Sequence, residues 1–187
     1  MIKSLRRSHR ERKKKGIGRK ERKTKIPNRI SIYARPKSVE NRRIFGHWET
    51  NSLVSRKSST ALNSLTERKS RLLLLTRLNR KGSAETKDAI ITRLKQLLHN
   101  ARRSLTMDNG TENAQHQEIT AHIGIKCFFA HPYSSWERGT NEHINGLVRW
   151  YLPKCTDFSK ISEQENTLNL CLTTAPESVR GLKHRLK

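Results

Sequence analysis

The sequence predicts an α/β fold: a mixed sheet of five strands with flanking helices, preceded by a basic, largely flexible arm. Two observations predict the sheet. Three extended segments with short polar joints come first and suit an antiparallel meander, and the later strands alternate with helices. A third observation predicts the arm. Hydrophobic residues make up only 33% of the 187 residues, and the shortfall lies at the start of the chain.

The predicted arm covers residues 1–43. Lys and Arg dominate it, and only Glu11, Glu21 and Glu40 oppose them. Such a segment cannot bury enough apolar surface to offset its ordering entropy, so we expect most of it to be flexible when unbound. The net charge of +24 favours DNA as partner, through phosphate contacts and counterion release, and the chain has no long apolar run for a membrane. The arm residues expected to bind DNA are Arg12, Lys13, Lys14, Lys15, Arg19 and Lys20.

A core over residues 44–169 is predicted to begin its folded part near Gly46. Pro27 and Pro36 argue against helix before that point. Apolar and polar residues alternate in the first segments, and Leu72–Leu75 is a continuous apolar run typical of a buried strand. The predicted strands are His47 to Val54, Ser59 to Thr66, Arg71 to Leu78, Ser104 to Met107 and Ile125 to Ala130.

Three helices are predicted between and after these strands. Ser83 is expected to cap the first, which carries an apolar stripe at 3.6-residue spacing. The second is predicted from Glu112 to His122 and is ended by Gly124. The third is predicted from Trp136 or Arg138 to Tyr151 and stops before Pro153.

The three cysteines, Cys127, Cys155 and Cys171, form neither a CxxC pair nor a zinc spacing. We expect buried or incidental thiols in a reducing, cytoplasmic setting, with the protein associated with the nucleoid.

Acidic residues fall at three places that this topology can bring together. Asp108 ends the fourth strand, Glu142 lies on the last helix, and the first strand carries Glu49 and Asn51. If the first and fourth strands are neighbours, residues 51 and 108 face each other. Carboxylates gathered there would hold divalent cations about 3.5–4 Å apart for phosphoryl transfer, and Mg²⁺ suits such oxygen ligands. Alternatively, the Asp-Asn-Gly sequence is an ordinary turn and Glu142 a solvated surface residue.

The segments H-W-E-T-N-S-L, L-T-M-D-N-G-T-E-N and H-P-Y-S-S-W-E-R-G-T-N-E-H-I-N-G-L resemble transposases of the insertion sequence 30 family. The resemblance implies a ribonuclease-H-like integrase core with an Asp-Asp-Glu triad, dependent on Mg²⁺ or Mn²⁺ at a two-metal site. It also implies DNA cleavage and strand transfer at element ends. The second aspartate falls at Asp108 and the glutamate at Glu142, so these two are the expected catalytic and metal-binding residues. The first aspartate falls at Asn51.

Asn51 predicts an impaired or inactive centre. An amide offers one neutral oxygen, whereas a carboxylate can bridge two metal ions with two oxygens. Glu49 lies on the same face of the strand but roughly 6.6 Å away, too far to take over a bond of about 2.1 Å. We therefore expect very weak strand transfer or none.

Both ends of the chain depart from the family pattern. Family members carry DNA-reading helix-turn-helix modules before the core, whereas this chain begins within what resembles the linker, so phosphate-dominated binding is expected. Residues 170–187 differ from the family's usual continuation, and we hypothesise a frameshift near Thr173.

Three further residues are DNA-binding candidates. Trp136 can stack on bases, and Arg138 and Asn141 lie close enough to Glu142 in sequence to position a phosphate. Surface hydrogen bonding or capping is the alternative for Arg138 and Asn141. The expected partners are DNA and either further copies of this chain or a full-length transposase. The alternative functions are a noncatalytic DNA-binding remnant of a transposase and a basic RNA-binding protein.

Overall fold

The computed structural model describes residues 26–132, 134–161 and 167–171. Their sheet has the strand order β5-β4-β1-β2-β3-β6, in which β4 pairs parallel with β1 and β5 and the other pairings are antiparallel. The five predicted strands are confirmed, and a sixth lies beside β3. The strands are β1 His47–Val54, β2 Ala61–Glu67, β3 Leu72–Leu78, β4 Ser104–Met107, β5 Lys126–Phe129 and β6 Thr167–Cys171.

Alternate residues of each strand point to opposite faces of the sheet, and each face is covered by different helices. The helices are α1 Ser83–Lys95, α2 His116–Ile123 and α3 Gly139–Tyr151. On the face covered by α1 and α2, Trp48, Leu105 and Met107 are fully buried in one apolar cluster. On the face covered by α3, a second cluster joins Leu53 of β1 to Ile144 of the helix.

The start of α1 differs from the prediction. Ser83 is the first helical residue, and Gly82 is the N-cap without a side-chain hydrogen bond. Glu85 folds back instead, and its Oε2 accepts hydrogen bonds from the backbone N–H groups of Asn79 at 2.6 Å and Arg80 at 3.2 Å. A carboxylate in the first turn can therefore accept hydrogen bonds from the backbone N–H groups of the preceding loop. The Ser83 hydroxyl, at the first helical position, does not take this role here.

The ends of α2 and α3 follow the chemistry of their terminal residues. Residues 111–113 form a 3₁₀ turn, so α2 begins later than predicted, at His116. Gly124 ends α2 in the left-handed conformation at φ 69°, as expected. Similarly, residues 135–138 form a 3₁₀ turn before α3. This last helix ends at Tyr151, two residues before Pro153, as predicted.

Residues 26–43 belong to the segment 1–43 that is predicted to be largely flexible, and several of them are buried, while residues 1–25 lie outside the described residues. Ile26, Ile32 and Val39 are buried, and the backbone N–H of Phe129 donates to the carbonyl of Ile30 at 2.8 Å. The basic composition of the segment concealed these isolated apolar residues, each of which fills a place beside the sheet. No helix of the described residues is long and apolar enough to cross a membrane.

Candidate active site

Positions 51 and 108 follow the paired parts of two neighbouring strands. β1 and β4 pair in parallel up to Glu49 opposite Thr106. Asn51 lies two residues further along β1, and Asp108 lies directly after the end of β4. By the alternation of side chains along each strand, both residues belong to the face of the sheet that α3 covers. The strand register is therefore consistent with the predicted neighbourhood of residues 51 and 108.

Asp108 is held in place by its own turn. Its Oδ1 accepts hydrogen bonds from Asn113 Nδ2 at 2.7 Å and from the backbone N–H of Gly110 at 3.1 Å. Its Oδ2 lies 3.5 Å from Nη2 of Arg138, and 29% of the side chain is exposed. One oxygen is thus fixed by neutral donors, while the other faces a cation and the solvent.

Gly110 lies close to the carboxylate of Glu112, and a larger residue here would require that side chain to move. A Cβ at this position would lie 2.3 Å from a carboxylate oxygen of Glu112. Glu112 is buried and pairs with Lys81 at 2.8 Å. The turn after Asp108 therefore packs against a second, internally neutralised carboxylate.

Asn51 offers one amide oxygen to the site. Its Oδ1 already accepts a hydrogen bond from the backbone N–H of Ser52 at 2.9 Å, and its backbone carbonyl accepts one from the Ser64 hydroxyl at 3.2 Å. The side chain is half-buried. It supplies a neutral oxygen with one hydrogen bond already made.

A buried carboxylate anchors the beginning of α3. Glu49 is fully buried, and its Oε2 accepts a hydrogen bond from the backbone N–H of Asn141 at 2.8 Å. Its other oxygen forms an ion pair with Arg68. A carboxylate at a helix N-terminus is stabilised by the unpaired N–H groups and the helix dipole. Glu49 thereby holds the helical turn that carries Glu142 against β1.

The anchoring role of Glu49 could not be predicted from the sequence. Its position on β1 was considered only for metal binding, and no local signal shows that an N–H donor from residue 141 would meet it. The available signal was an acidic residue in the middle of a strand, where burial demands a partner.

Glu142 is exposed on α3, directly after the anchored residue. Asn141 itself is fully buried, and its side-chain oxygen accepts a hydrogen bond from the Thr66 hydroxyl at 3.3 Å. The side chain of Asn141 packs between the helix and the sheet, and its predicted contact with DNA stays a prediction.

The other predicted DNA-binding residues divide into three groups. Arg138 is buried, donates to the carbonyl of Thr50 at 3.2 Å and faces Asp108, so it lies inside the site rather than on an open surface. Trp136 is 74% exposed. The remaining candidates lie outside the described residues: Arg12, Lys13, Lys14, Lys15, Arg19 and Lys20.

The described side chains do not form a closed set of metal ligands, and neither Asn51 nor Glu142 lines the cavity beside Asp108. Asp108 has one oxygen free of neutral donors, Glu142 is exposed, and Asn51 adds a single amide oxygen. Within the described ranges, no group of three His, Cys, Asp or Glu residues is placed to hold a metal ion. Hard oxygen ligands suit Mg²⁺, but a carboxylate that could bridge two ions is lacking at position 51.

A cavity of about 230 Å³ opens beside Asp108. The turn at Asn109 and Gly110 borders it on one side and Arg138 on another. The Nδ2 of Asn109 donates to the carbonyl of Ala130 at 2.6 Å, which ties this turn to the end of β5. The Oδ2 atom of Asp108 therefore lies beside a cavity that the Arg138 side chain lines on one side.

Sequence comparison finds transposases over most of the chain, although no protein-family model matches it. It is 41% identical over 166 residues to Transposase InsI for insertion sequence element IS30A of Escherichia coli (strain K12), covering 88% of this chain and 43% of the relative. It is 39% identical over 145 residues to the transposase for insertion sequence element IS1086 of Cupriavidus metallidurans, covering 78% of this chain and 43% of the relative. The chain thus spans less than half the length of these relatives.

Structural comparison identifies the fold. A chain of the simian T-cell lymphotropic virus intasome in complex with PP2A regulatory subunit B56 gamma aligns with a TM-score of 0.52 and 18% identity, over 75% of this chain and 46% of that one. The catalytic core domain of BIV integrase aligns with a TM-score of 0.48 and 18% identity, over 57% of this chain and 68% of that one. The predicted ribonuclease-H-like fold is confirmed by the intasome alignment.

Proposed function

We propose that this chain, a homologue of insertion sequence 30 transposases over most of its length, acts on DNA through a phosphoryl-transfer centre that is impaired at one position. One observation carries the proposal. The parallel pairing of Glu49 with Thr106 supports a shared site for Asn51 and Asp108, two residues further along each chain, and Glu49 also anchors the turn of α3 that bears Glu142.

Each residue has a separate task in this proposal. Asp108 and Glu142 would hold a cation, Mg²⁺ or Mn²⁺, which would activate the attacking oxygen. Asn113 and the N–H of Gly110 fix one oxygen of Asp108, and its other oxygen lies beside Arg138. The hydrogen bond from the Asn141 backbone to Glu49 fixes the position of the first turn of α3 against β1.

Asn51 is the residue that we expect to limit activity. Replacing a carboxylate by an amide removes one negative charge and one oxygen from the metal-binding set. The remaining donors lack a carboxylate at position 51 that could bridge two ions, and stabilisation of developing charge in phosphoryl transfer depends on ions at both the attacking and leaving oxygens. The chain should therefore cleave and join DNA very slowly.

A cleavage and joining assay tests the proposal. The purified chain and its Asn51→Asp variant are incubated with element-end duplex DNA and either Mg²⁺ or Mn²⁺. We expect Asn51→Asp to raise the cleavage rate by about 100-fold or more, on the scale of restoring one charge-stabilising group. The double variant Asn51→Asp, Asp108→Asn is the matched control and should return to the background rate. Equal rates for the original chain and Asn51→Asp would contradict the proposal.

A noncatalytic DNA-binding remnant is the second candidate function. It is favoured by Asn51 itself and by the net charge of +24, which supports binding without chemistry. In this case affinity for random duplex should equal that for element ends, fall steeply with salt and be unchanged by Mg²⁺. A preference of tenfold or more for element ends would argue against phosphate-dominated binding, and a preference for RNA would favour the basic RNA-binding alternative.

Association with further copies of this chain or with a full-length transposase is part of the proposal, as is a cytoplasmic location on the nucleoid. Light scattering with and without duplex DNA tests the first point. A mass of one chain without DNA, and of one chain plus one duplex with DNA, would exclude self-assembly on DNA.

A further inference from the structure

We propose that a second cavity, beside the candidate active site, binds one unpaired nucleobase of a DNA strand, an inference that rests on the proposed function. This base pocket has a volume of about 330 Å³, within the usual range for small-ligand sites. Its exposed members include Tyr33, Arg42, Trp136 and the acidic Glu40, and its buried members include Arg35 and Arg68.

Two exposed aromatic rings give the base pocket its chemistry. Tyr33 is 83% exposed and Trp136 is 74% exposed, although both line a concave site. The Tyr33 ring packs against the ring of His131 with 4.5 Å between centroids, so it is fixed on one side and open on the other. Exposed aromatic faces beside a cationic group are typical of proteins that stack unpaired bases.

The charges around the base pocket suit a phosphate-bearing ligand. Arg35 and Arg68 are buried and both pair with Glu40, and Arg68 also pairs with Glu49. Arg42 is exposed, and no ion pair is recorded for it among the described residues. The charges of the buried arginines are thus neutralised by carboxylates, whereas Arg42 is open to an anion. This favours a nucleotide over an uncharged aromatic ligand.

The base pocket adjoins the cavity beside Asp108. His131 lines the first cavity and Glu137 lines the second, and these two side chains are joined, His131 Nδ1 to Glu137 Oε1, at 2.9 Å. The 3₁₀ turn 135–138 therefore forms the partition between them. A DNA strand with a phosphate near Asp108 would place a neighbouring unpaired base in the base pocket, which Tyr33 and Trp136 line.

Binding to three versions of one DNA duplex tests the inference. The first version is blunt, the second carries a three-nucleotide single-stranded extension, and the third carries an extension of three abasic sugar-phosphate units. The last two have the same phosphates and differ only in bases. We expect the full chain to bind the base-carrying extension at least about fivefold more tightly than the abasic one, as measured by fluorescence anisotropy at physiological salt.

Variants at two exposed tryptophans separate stacking from general binding. Trp136→Ala should abolish the preference for bases, and Trp136→Phe should retain most of it. Trp150→Ala is the matched control, since Trp150 is 47% exposed at the other end of α3, and it should leave the preference intact. Circular dichroism verifies that each variant is folded.

The outcomes distinguish this inference from the proposed function. Equal affinity for base-carrying and abasic extensions, or a preference that survives Trp136→Ala, would overturn the base pocket while leaving duplex binding in place. Failure to bind any of the three duplexes would overturn the proposed DNA function itself. Preference for an RNA extension over the DNA extension would assign the pocket to another nucleic acid and also contradict the inference.

Discussion

Where β1 and β4 lie side by side, the sheet has an apolar face under α1 and α2 and a polar face under α3. On the apolar face, Trp48, Leu105 and Met107 are fully buried in one cluster. On the polar face, the same two strands carry Glu49 and Thr106, which are opposite each other and fully buried. Adjacent residues of β1 therefore have different roles: Trp48 stabilises the fold, and Glu49 positions the start of α3.

The difference shows where stability and function are separated in this chain. The apolar face can tolerate little loss of volume but makes few demands on the exact placement of atoms. The polar face depends on particular donors and acceptors, because a buried polar group without a partner is costly. Substitutions on the first face should therefore alter stability most, and substitutions on the second should alter both stability and the geometry around Asp108.

Trp48→Ala should produce the largest loss of stability. Trp48 is fully buried, its Nε1–H donates to the carbonyl of Ala101 at 2.8 Å, and Phe45 packs against it edge to face. We expect the free energy of unfolding to fall by about 3–5 kcal/mol in urea titrations. The control Trp150→Ala, at a half-exposed position, should cost less than about 1 kcal/mol. Similar losses for the two variants would show that the apolar face is not the main source of stability.

Glu49→Gln should produce the next largest effect. The amide can still accept a hydrogen bond from Asn141, but it leaves Arg68 without its fully buried anionic partner. We expect a loss of about 2 kcal/mol, within the range for hydrogen bonds to charged groups. In an Asn51→Asp background, cleavage should also fall.

The control for Glu49→Gln is Glu118→Gln. Glu118 pairs with Lys87 at 2.9 Å, but both side chains reach solvent, so the loss should stay below about 1 kcal/mol. If both variants lose the same stability, burial adds nothing to the Glu49 pair and the contrast between the faces fails.

The sequence predicted the apolar face more completely than the polar one. His47–Val54 and Ser104–Met107 were predicted at the observed bounds, because alternation and turn chemistry are local signals. Asn51 and Asp108 were brought together by strand order and motif. The anchoring of α3 by Glu49 and the packing of Ile26 under the sheet depend on contacts between residues far apart in sequence, and no local pattern contains them.

Asn145→Leu should change stability in the opposite direction. Asn145 is only 7% exposed, and neither its Oδ1 nor its Nδ2 has a hydrogen-bond partner among the described residues. Replacing it by an apolar side chain of similar size should raise the free energy of unfolding by about 1 kcal/mol, since the cost of an unsatisfied buried amide is removed. Asn141→Leu is the matched control and should be destabilising, because it removes the acceptor of the Thr66 hydroxyl. A loss of stability in Asn145→Leu would show that the Asn145 amide has a hydrogen-bond partner in solution.

His47→Gln should produce the smallest effect, and one that depends on pH. Burial lowers the pKa of His47 below its ordinary value of 6.5, and the nearby Arg103 lowers it further, while Glu67 opposes them. Its Nδ1 lies 2.8 Å from the Ser104 hydroxyl. Because the unfolded chain binds the proton more tightly than the folded chain, this residue's contribution is complete above pH 6.5 and is lost as the pH falls toward the folded pKa. Between pH 7.5 and 5.5 the original chain should therefore lose more unfolding free energy than His47→Gln, and substitution of the exposed His99 should leave that loss unchanged. Equal losses in the original chain and His47→Gln would mean that protonation of other residues, outside β1, causes the loss of stability at low pH.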